Sequence, residues 1–200
     1  MMDVKERGLI MTVYFIADTH FGHEDVIGFD GRPFSTLEEM HREMKNNWNA
    51  RVTENDNVYI VGDFWFQGTS KYDRDAYDHD VAIDFIRELN GYKYLVIGNH
   101  DRKPLTYPEF KYEFVEVADI MRIDIDDQEV ILCHYPMLEW ENSWNNSWHI
   151  HGHIHNKKTD VFCYLRNKER ALNAGAAIVQ YMPVTFDELV TYNNTFKQGN

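Results

Sequence analysis

Apolar positions in this chain gather into short, nearly continuous runs, each stopping at a polar residue able to bind metal. Residues 12–17 run into Asp18, 57–62 into Asp63, 94–98 into Asn99 and 130–133 into His134. Their length and their branched and aromatic content predict buried strands. Between these runs the period lengthens. Ser35-Thr36-Leu37-Glu38 reads as a capping box, after which Leu37, Met40, Met44 and Trp48 recur at helical spacing. Val81, Phe85, Ile86 and Leu89 predict a second helical face, with Asn90-Gly91 as its stop. Another box, Thr185-Phe186-Asp187-Glu188, opens a short helix near the C-terminus, and the last few residues read as frayed. No period fits 64–80 or 135–149. Both segments directly follow a strand-end polar residue, where loops usually shape a site.

Strands alternating with helices predict an α/β layered fold, in which ligands collect beyond the carboxyl ends of the strands. Asp18, Asp63, Asn99 and His134 would all fall there. No repeat, low-complexity tract or linker divides the sequence, so residues 1–200 are read as one domain. Met11 immediately precedes the first run, which makes residues 1–10 a dispensable extension.

Composition narrows the partners. With 33 acidic and 20 basic residues the net charge is −13. That weighs against a long nucleic acid, whose backbone needs a basic face, and against an anionic membrane surface. Two cysteines, Cys133 and Cys163, are too few for a disulfide framework, and Cys133 sits in an apolar run as a buried thiol. The N-terminus lacks the pattern of a signal peptide, and no run approaches the roughly 20 apolar residues that span a bilayer. A cytoplasmic protein is expected.

Ten histidines change this picture, because they crowd into motifs. The candidate metal ligands are Asp18, His20, Asp63, Asn99, His134, His153 and His155. Carboxylate, amide and imidazole donors without a thiolate suit manganese, iron or zinc, and exclude a cysteine-type structural zinc site. Seven ligands exceed one tetrahedral ion but suffice for two if a carboxylate bridges them. Asp63, at a strand end between the other contributors, is the natural bridge. With neutral histidines and only two carboxylates, two bound cations leave the centre net positive and attractive to phosphate despite the acidic chain. Singly, Asp-x-His or Gly-Asp is a weak signal. Gly98-Asn99-His100-Asp101 at a strand end is a strong one, and Gly152-His153-Ile154-His155 aims two imidazoles the same way if extended.

Together, Asp18-Thr19-His20, Gly62-Asp63, Gly98-Asn99-His100-Asp101, His134 and Gly152-His153-Ile154-His155 resemble the calcineurin-like metallophosphoesterase superfamily. The wording Ala17–His23 with Gly31-Arg32-Pro33-Phe34 is similar to its compact bacterial and phage branch. The resemblance implies a four-layer α/β/β/α sandwich with a dinuclear centre. It implies that Asp18, His20, Asp63 and His155 hold one cation, and Asp63, Asn99, His134 and His153 the other. The ions it implies are two divalent metals, manganese first, with iron, zinc or nickel as alternatives. It also gives His100 a place outside the metal shell, where it assists the leaving group after attack by metal-bridging hydroxide, with Asp101 orienting it. Related sequences often carry an acidic residue in the stretch matching 173–177, where this chain has alanine. That puts an accessory contact in question rather than the centre.

Substrate contacts are less legible. Arg32 is read either as a grip on a phosphate oxygen or as a surface ion pair with Asp30 or Glu38. His23 is read as a substrate contact or a bystander. Trp140, Trp144 and Trp148 recur every four residues, which on a helix would make one packing face, or else a wall for a nucleobase. His149 and His151 are expected to sit behind the last motif, His41 on a helix surface.

The expected function is hydrolysis of a small phosphate ester, a diester in preference to a monoester and a nucleotide among the candidates. The alternatives are a nuclease on longer DNA or RNA, which the charge opposes, and a metal-holding scaffold without turnover, which the retained motif residues oppose.

Overall fold

In the computed structural model, residues 11–66 and 79–199 are described. The proposed extension at 1–10 and most of the unassigned segment 64–80 lie outside them.

Three of the four predicted runs become neighbours in a parallel sheet, and the fourth, 130–133, falls in a second sheet. Strands β1 (Val13–Ile16), β2 (Asn57–Val61), β3 (Tyr92–Val96) and β4 (Glu116–Ala118) lie in the order β1-β2-β3-β4, every pair parallel. Parallel neighbours need a crossover. Between β1 and β2 come α1 (Val26–Asp30) and α2 (Leu37–Asn49); α3 (His79–Arg87) follows β2, and α4 (Pro108–Lys111) precedes β4. The second sheet holds β5 (Ile120–Ile125), β6 (Gln128–Cys133), β7 (Trp148–His151) and β8 (Ala171–Asn173), in that order. β5 and β6 form an antiparallel hairpin, while β6, β7 and β8 are parallel. Asp126 and Asp127 close the hairpin with φ of 46° and 65°, the double left-handed pattern that matches strand twist in a two-residue turn. Then come α5 (Asp160–Leu165) and α6 (Phe186–Gln198).

One apolar cluster runs through both sheets, from Phe15, Ile60 and Leu95 to Val130, Ile150 and Leu172. α6 packs on β1 and β8. With helices outside two sheets, this is the expected α/β/β/α sandwich. The chain after β8 returns along the free side of β1, where Phe15 pairs with Val184 and Ala17 with Gly175. Among the described residues no helix is long and apolar enough to cross a membrane.

Local readings needed adjustment where tertiary contacts decide. The first capping box sits one residue later than the spacing suggests. Thr36 caps α2 by accepting from Glu39 N, and Glu39 accepts from Ser35 N at 2.6 Å. In α3 the buried residues are Ala82, Ile83, Phe85 and Ile86, while Val81 is exposed. The C-terminal box forms as read, but its helix is 13 residues long and continues into the segment expected to fray. The tryptophans share no helix. Trp148 lies in β7, Trp140 is buried against Ile131 and Leu165, and Trp144 is 83% exposed within a 3-10 turn, Ser143–Asn145. Packing is therefore the role of two of the three. Cys133 is buried, as expected.

Candidate metal centre

Each strand-end residue enters the centre through the turn that follows its strand. Asp18 and His20 follow β1, Asp63 follows β2, Asn99 and His100 follow β3, His134 follows β6, and His153 and His155 follow β7. Five of these have left-handed backbones: Asp18 (φ 53°), His20 (50°), Asp63 (53°), His153 (71°) and His155 (50°). Such a conformation costs a non-glycine residue roughly 1–2 kcal/mol, so the surrounding hydrogen bonds must hold it. They are present. Asp18 N donates to Gly62 O, His20 N to Asp63 O, and His153 N to the Asp18 carboxylate at 3.0 Å. His153 and His155 thus converge through a turn and not through the alternation of an extended strand.

Two glycines make this approach possible. A Cβ on Gly62 (φ +86°) would lie 2.2 Å from His134 Nδ1, and one on Gly98 would lie 2.2 Å from Asp63 Oδ1.

The donors interlock. His20 Nε2 lies 3.3 Å from His155 Nε2 and 3.7 Å from Asp63 Oδ2. On the other side of Asp63, His134 Nε2 is 3.4 Å from Asp63 Oδ2 and 3.3 Å from Asn99 Oδ1, which is 3.1 Å from His153 Nδ1. Donor atoms of Asp18, His20 and His155 lie within 4.8 Å of one another, as do those of Asp18, Asp63 and His134. Seven donor residues from five strand-end turns, all offering oxygen or nitrogen and most of them buried, fit divalent cations. Electrostatics agree. Burial raises the Asp18 carboxyl, and the nearby Asp63 adds to it. Burial opposes ionisation of Asp63 too, but His134 and His20 hold it well below the usual carboxylate range. Burial would lower His134, yet the Asp63 and Asp18 carboxylates push it up to about 9. A cation would take over the place of that proton.

His100 stands beside the donors with a third of its side chain exposed, Nε2 3.9 Å from Asp63 Oδ2. Its ring meets Phe66 edge-on, at 4.8 Å between centroids. Burial lowers its pKa, against the pull of Asp63.

Three expected roles change. Asp101 does not hold the His100 imidazole. Its carboxylate accepts from the backbone N–H of Asp63, Phe64, Trp65 and Gly98, at 2.7, 2.9, 3.4 and 2.9 Å, and so fixes the turns after β2 and β3. Burial and the nearby Asp63 push this carboxyl up to about 6 despite those donors. Arg32 is not a phosphate grip, and its expected ion pair with Asp30 forms, but buried and not at the surface. Its side chain is fully buried against Asp30, donating also to the carbonyls of Asp18 and Thr19. His23 is buried too, its Nδ1 3.2 Å from His20 Nδ1 and its ring 3.8 Å from that of Phe66, so it backs a ligand and is not open to substrate.

His149 and His151 are buried behind the centre, as expected, bonded to Ile131 O and Gly152 O. In the stretch with the alanine departure, Ala174 and Ala176 bond Ala17, just after β1, and Asn173 donates to His155 O. Asp30 was missed as a functional residue. It bonds His155 Nδ1 at 2.7 Å. The only signal in the sequence was a charged pair, Asp30 and Arg32, around the turn-forming Gly31.

A family model described as calcineurin-like phosphoesterase matches residues 11–170. Uncharacterized protein MJ1445 of Methanocaldococcus jannaschii is 30% identical over 178 residues, 89% of each chain. Gene 66 protein of Mycobacterium phage D29 is 29% identical over 137 residues, covering 62% of this chain and 63% of its own. Among solved structures, the protein of unknown function AQ665 from Aquifex aeolicus superposes with a TM-score of 0.68 at 24% identity, covering 90% of this chain and 98% of its own, which extends the likeness to the fold. Motif order, strand-end placement and the family match agree: the chain belongs to the calcineurin-like phosphoesterase family.

Proposed function

We propose that this protein hydrolyses small phosphate esters, diesters in preference to monoesters, with two divalent cations in the centre. One cation would be held by Asp18, His20, Asp63 and His155, the other by Asp63, Asn99, His134 and His153, with manganese the first candidate. When bound, such cations supply an activated water and neutralise charge on the phosphate. The observation that carries this reading is Asp63, whose Oδ2 faces His20 on one side and His134 on the other.

The protein's own groups do the rest. Asp63 stays ionised, and its Oδ1 is fixed by the N–H of His100 at 2.8 Å. His134 keeps Nε2 toward the centre because Nδ1 is engaged by Val61 O. His100, accessible at the mouth, gives a proton to the departing oxygen. Arg32 is buried, so it is not left to neutralise a second phosphate charge. That favours the monoanionic diester. The net charge of −13 favours a short substrate over a long nucleic acid, and at physiological salt surface charge is screened beyond about 8–10 Å.

The test is a substrate panel on metal-reconstituted protein: bis-p-nitrophenyl phosphate, the monoester, cyclic nucleotides and single-stranded nucleic acid. Faster turnover of the diester is expected. A monoester rate well above it overturns the diester preference, and no hydrolysis by folded, metal-loaded protein overturns the enzyme reading.

A further inference from the structure

The two halves of the centre are backed by different chemistry. His134 rests its Nδ1 on a neutral backbone carbonyl, Val61 O, at 3.0 Å. His155 rests its Nδ1 on a carboxylate, Asp30 Oδ2, at 2.7 Å. That carboxylate is itself locked. Arg32 donates to Asp30 Oδ2 through Nη2 at 3.1 Å and Nε at 3.3 Å, and neither side chain is more than 2% exposed. The same guanidinium donates to the carbonyls of Asp18 and Thr19, both at 2.8 Å. A single buried fork thus spans the β1 turn that presents Asp18 and His20 and the β7 turn that presents His155. Asn156 adds a bond from its amide to Asp30 O at 3.2 Å, which ties the second turn to the same residue.

We infer that Asp30 and Arg32 are a positioning pair that makes the cation position of Asp18, His20 and His155 the tighter of the two. An acceptor on Nδ1 fixes the tautomer that presents Nε2 as a lone pair, and a carboxylate there also makes the imidazole a better donor. Arg32 keeps the carboxylate in place and compensates its charge in a buried setting. The His134 side has the first of these advantages but not the second. Arg32 further fixes two carbonyls of the β1 turn, so the effect reaches Asp18 and His20 as well as His155.

The inference rests on the two-cation reading, and the experiment separates the two. Manganese is titrated into chelator-treated wild type, Asp30→Asn and Arg32→Lys, with bound metal measured directly and the coupled-pair signal followed by electron paramagnetic resonance. Circular dichroism and melting of the metal-free proteins report folding. Wild type should bind two ions in steps of unequal affinity. Asp30→Asn keeps the shape but not the charge, and should weaken the tighter step by about 10- to 100-fold. One ion then remains at intermediate manganese, with an uncoupled spectrum. Arg32→Lys should weaken the same step to a smaller degree. If wild type binds a single ion, the two-cation reading fails. If wild type binds two and both steps are unchanged in either folded variant, or fall equally, the positioning role of the pair is overturned. Should Asp30→Asn not fold, the Arg32→Lys titration decides the matter alone.

Discussion

His134 Nδ1 lies 3.0 Å from Val61 O, while its Nε2 lies 3.4 Å from Asp63 Oδ2. One imidazole from the end of β6 therefore reaches both Val61, the last residue of β2, and Asp63 two residues on, across the gap between the two sheets. The ring can occupy this place only because Gly62 has no side chain.

Gly62→Ala would bring a methyl group 2.2 Å from His134 Nδ1 at a backbone φ of +86°. Overpacking and left-handed strain together should cost about 2–5 kcal/mol. Urea unfolding should show this loss, and metal titration should show weaker binding on the His134 side. Native stability and affinity in the variant would mean that the ring moves aside freely.

His100→Ala should lower kcat by roughly 10²–10⁴, the usual worth of a positioned proton donor, while metal content stays at the wild-type level. Because donor atoms of His20, Asp63 and His100 also lie within 4.8 Å of one another, the metal measurement is the decisive half. Loss of an ion would make His100 a ligand.

Asp101→Asn replaces an acceptor of four backbone N–H groups with an amide that brings donors of its own. Each stranded donor costs about 1–3 kcal/mol, so the melting temperature and the rate should fall together. The shape of the pH–rate profile should stay as in wild type. A lost or shifted limb would instead restore Asp101 to a direct partnership with His100.

Stability should fall in acid partly through histidines that are not among the candidate ligands. His149 is fully buried, its Nδ1 on Ile131 O and its Nε2 accepting from Met137 N. His41, expected on a helix surface, accepts from Gly22 N and packs on Phe85. Burial lowers both from 6.5 to about 4. The folded state binds fewer protons than the unfolded chain between these values, so stability rises with pH there. Their contribution is complete above about 6.5 and is lost as pH falls through 4. Melting of chelator-treated protein from pH 8 to 4 should show the decline, and His149→Gln should flatten part of it. An unchanged slope in that variant would remove His149 from the account.

The donors and strands β1, β2, β3 and β6 were legible because buried strands write themselves as unbroken apolar runs, each ending in a usable ligand, whereas the three residues of β4 carried no such signal. The rest of the second sheet was harder to see. β7 is Trp148-His149-Ile150-His151, whose two histidines advertise a site but are buried behind it. β5 alternates isoleucine with Arg122 and Asp124 because one face meets solvent, and β8 has only three residues. The left-handed turns at His153 and His155 depend on bonds to Asp18 and Asp30, whose distance along the chain hides them from any local pattern. Asp101 was misjudged for the same reason. Adjacency to His100 suggested a partner, while the bonds made in three dimensions go to the backbone of the turn after β2 and of its own turn after β3.

β1 stands at the margin of its sheet, and the chain after β8 covers its outer row of N–H and C=O groups through Val184, Ala174 and Ala176. An uncovered row of that kind is a template on which a strand from another molecule can add. The same segment that steadies the Asp18 turn therefore also protects the protein from self-association. A lesion that loosens residues 174–184 should first appear as lost solubility, before any measurable change in chemistry.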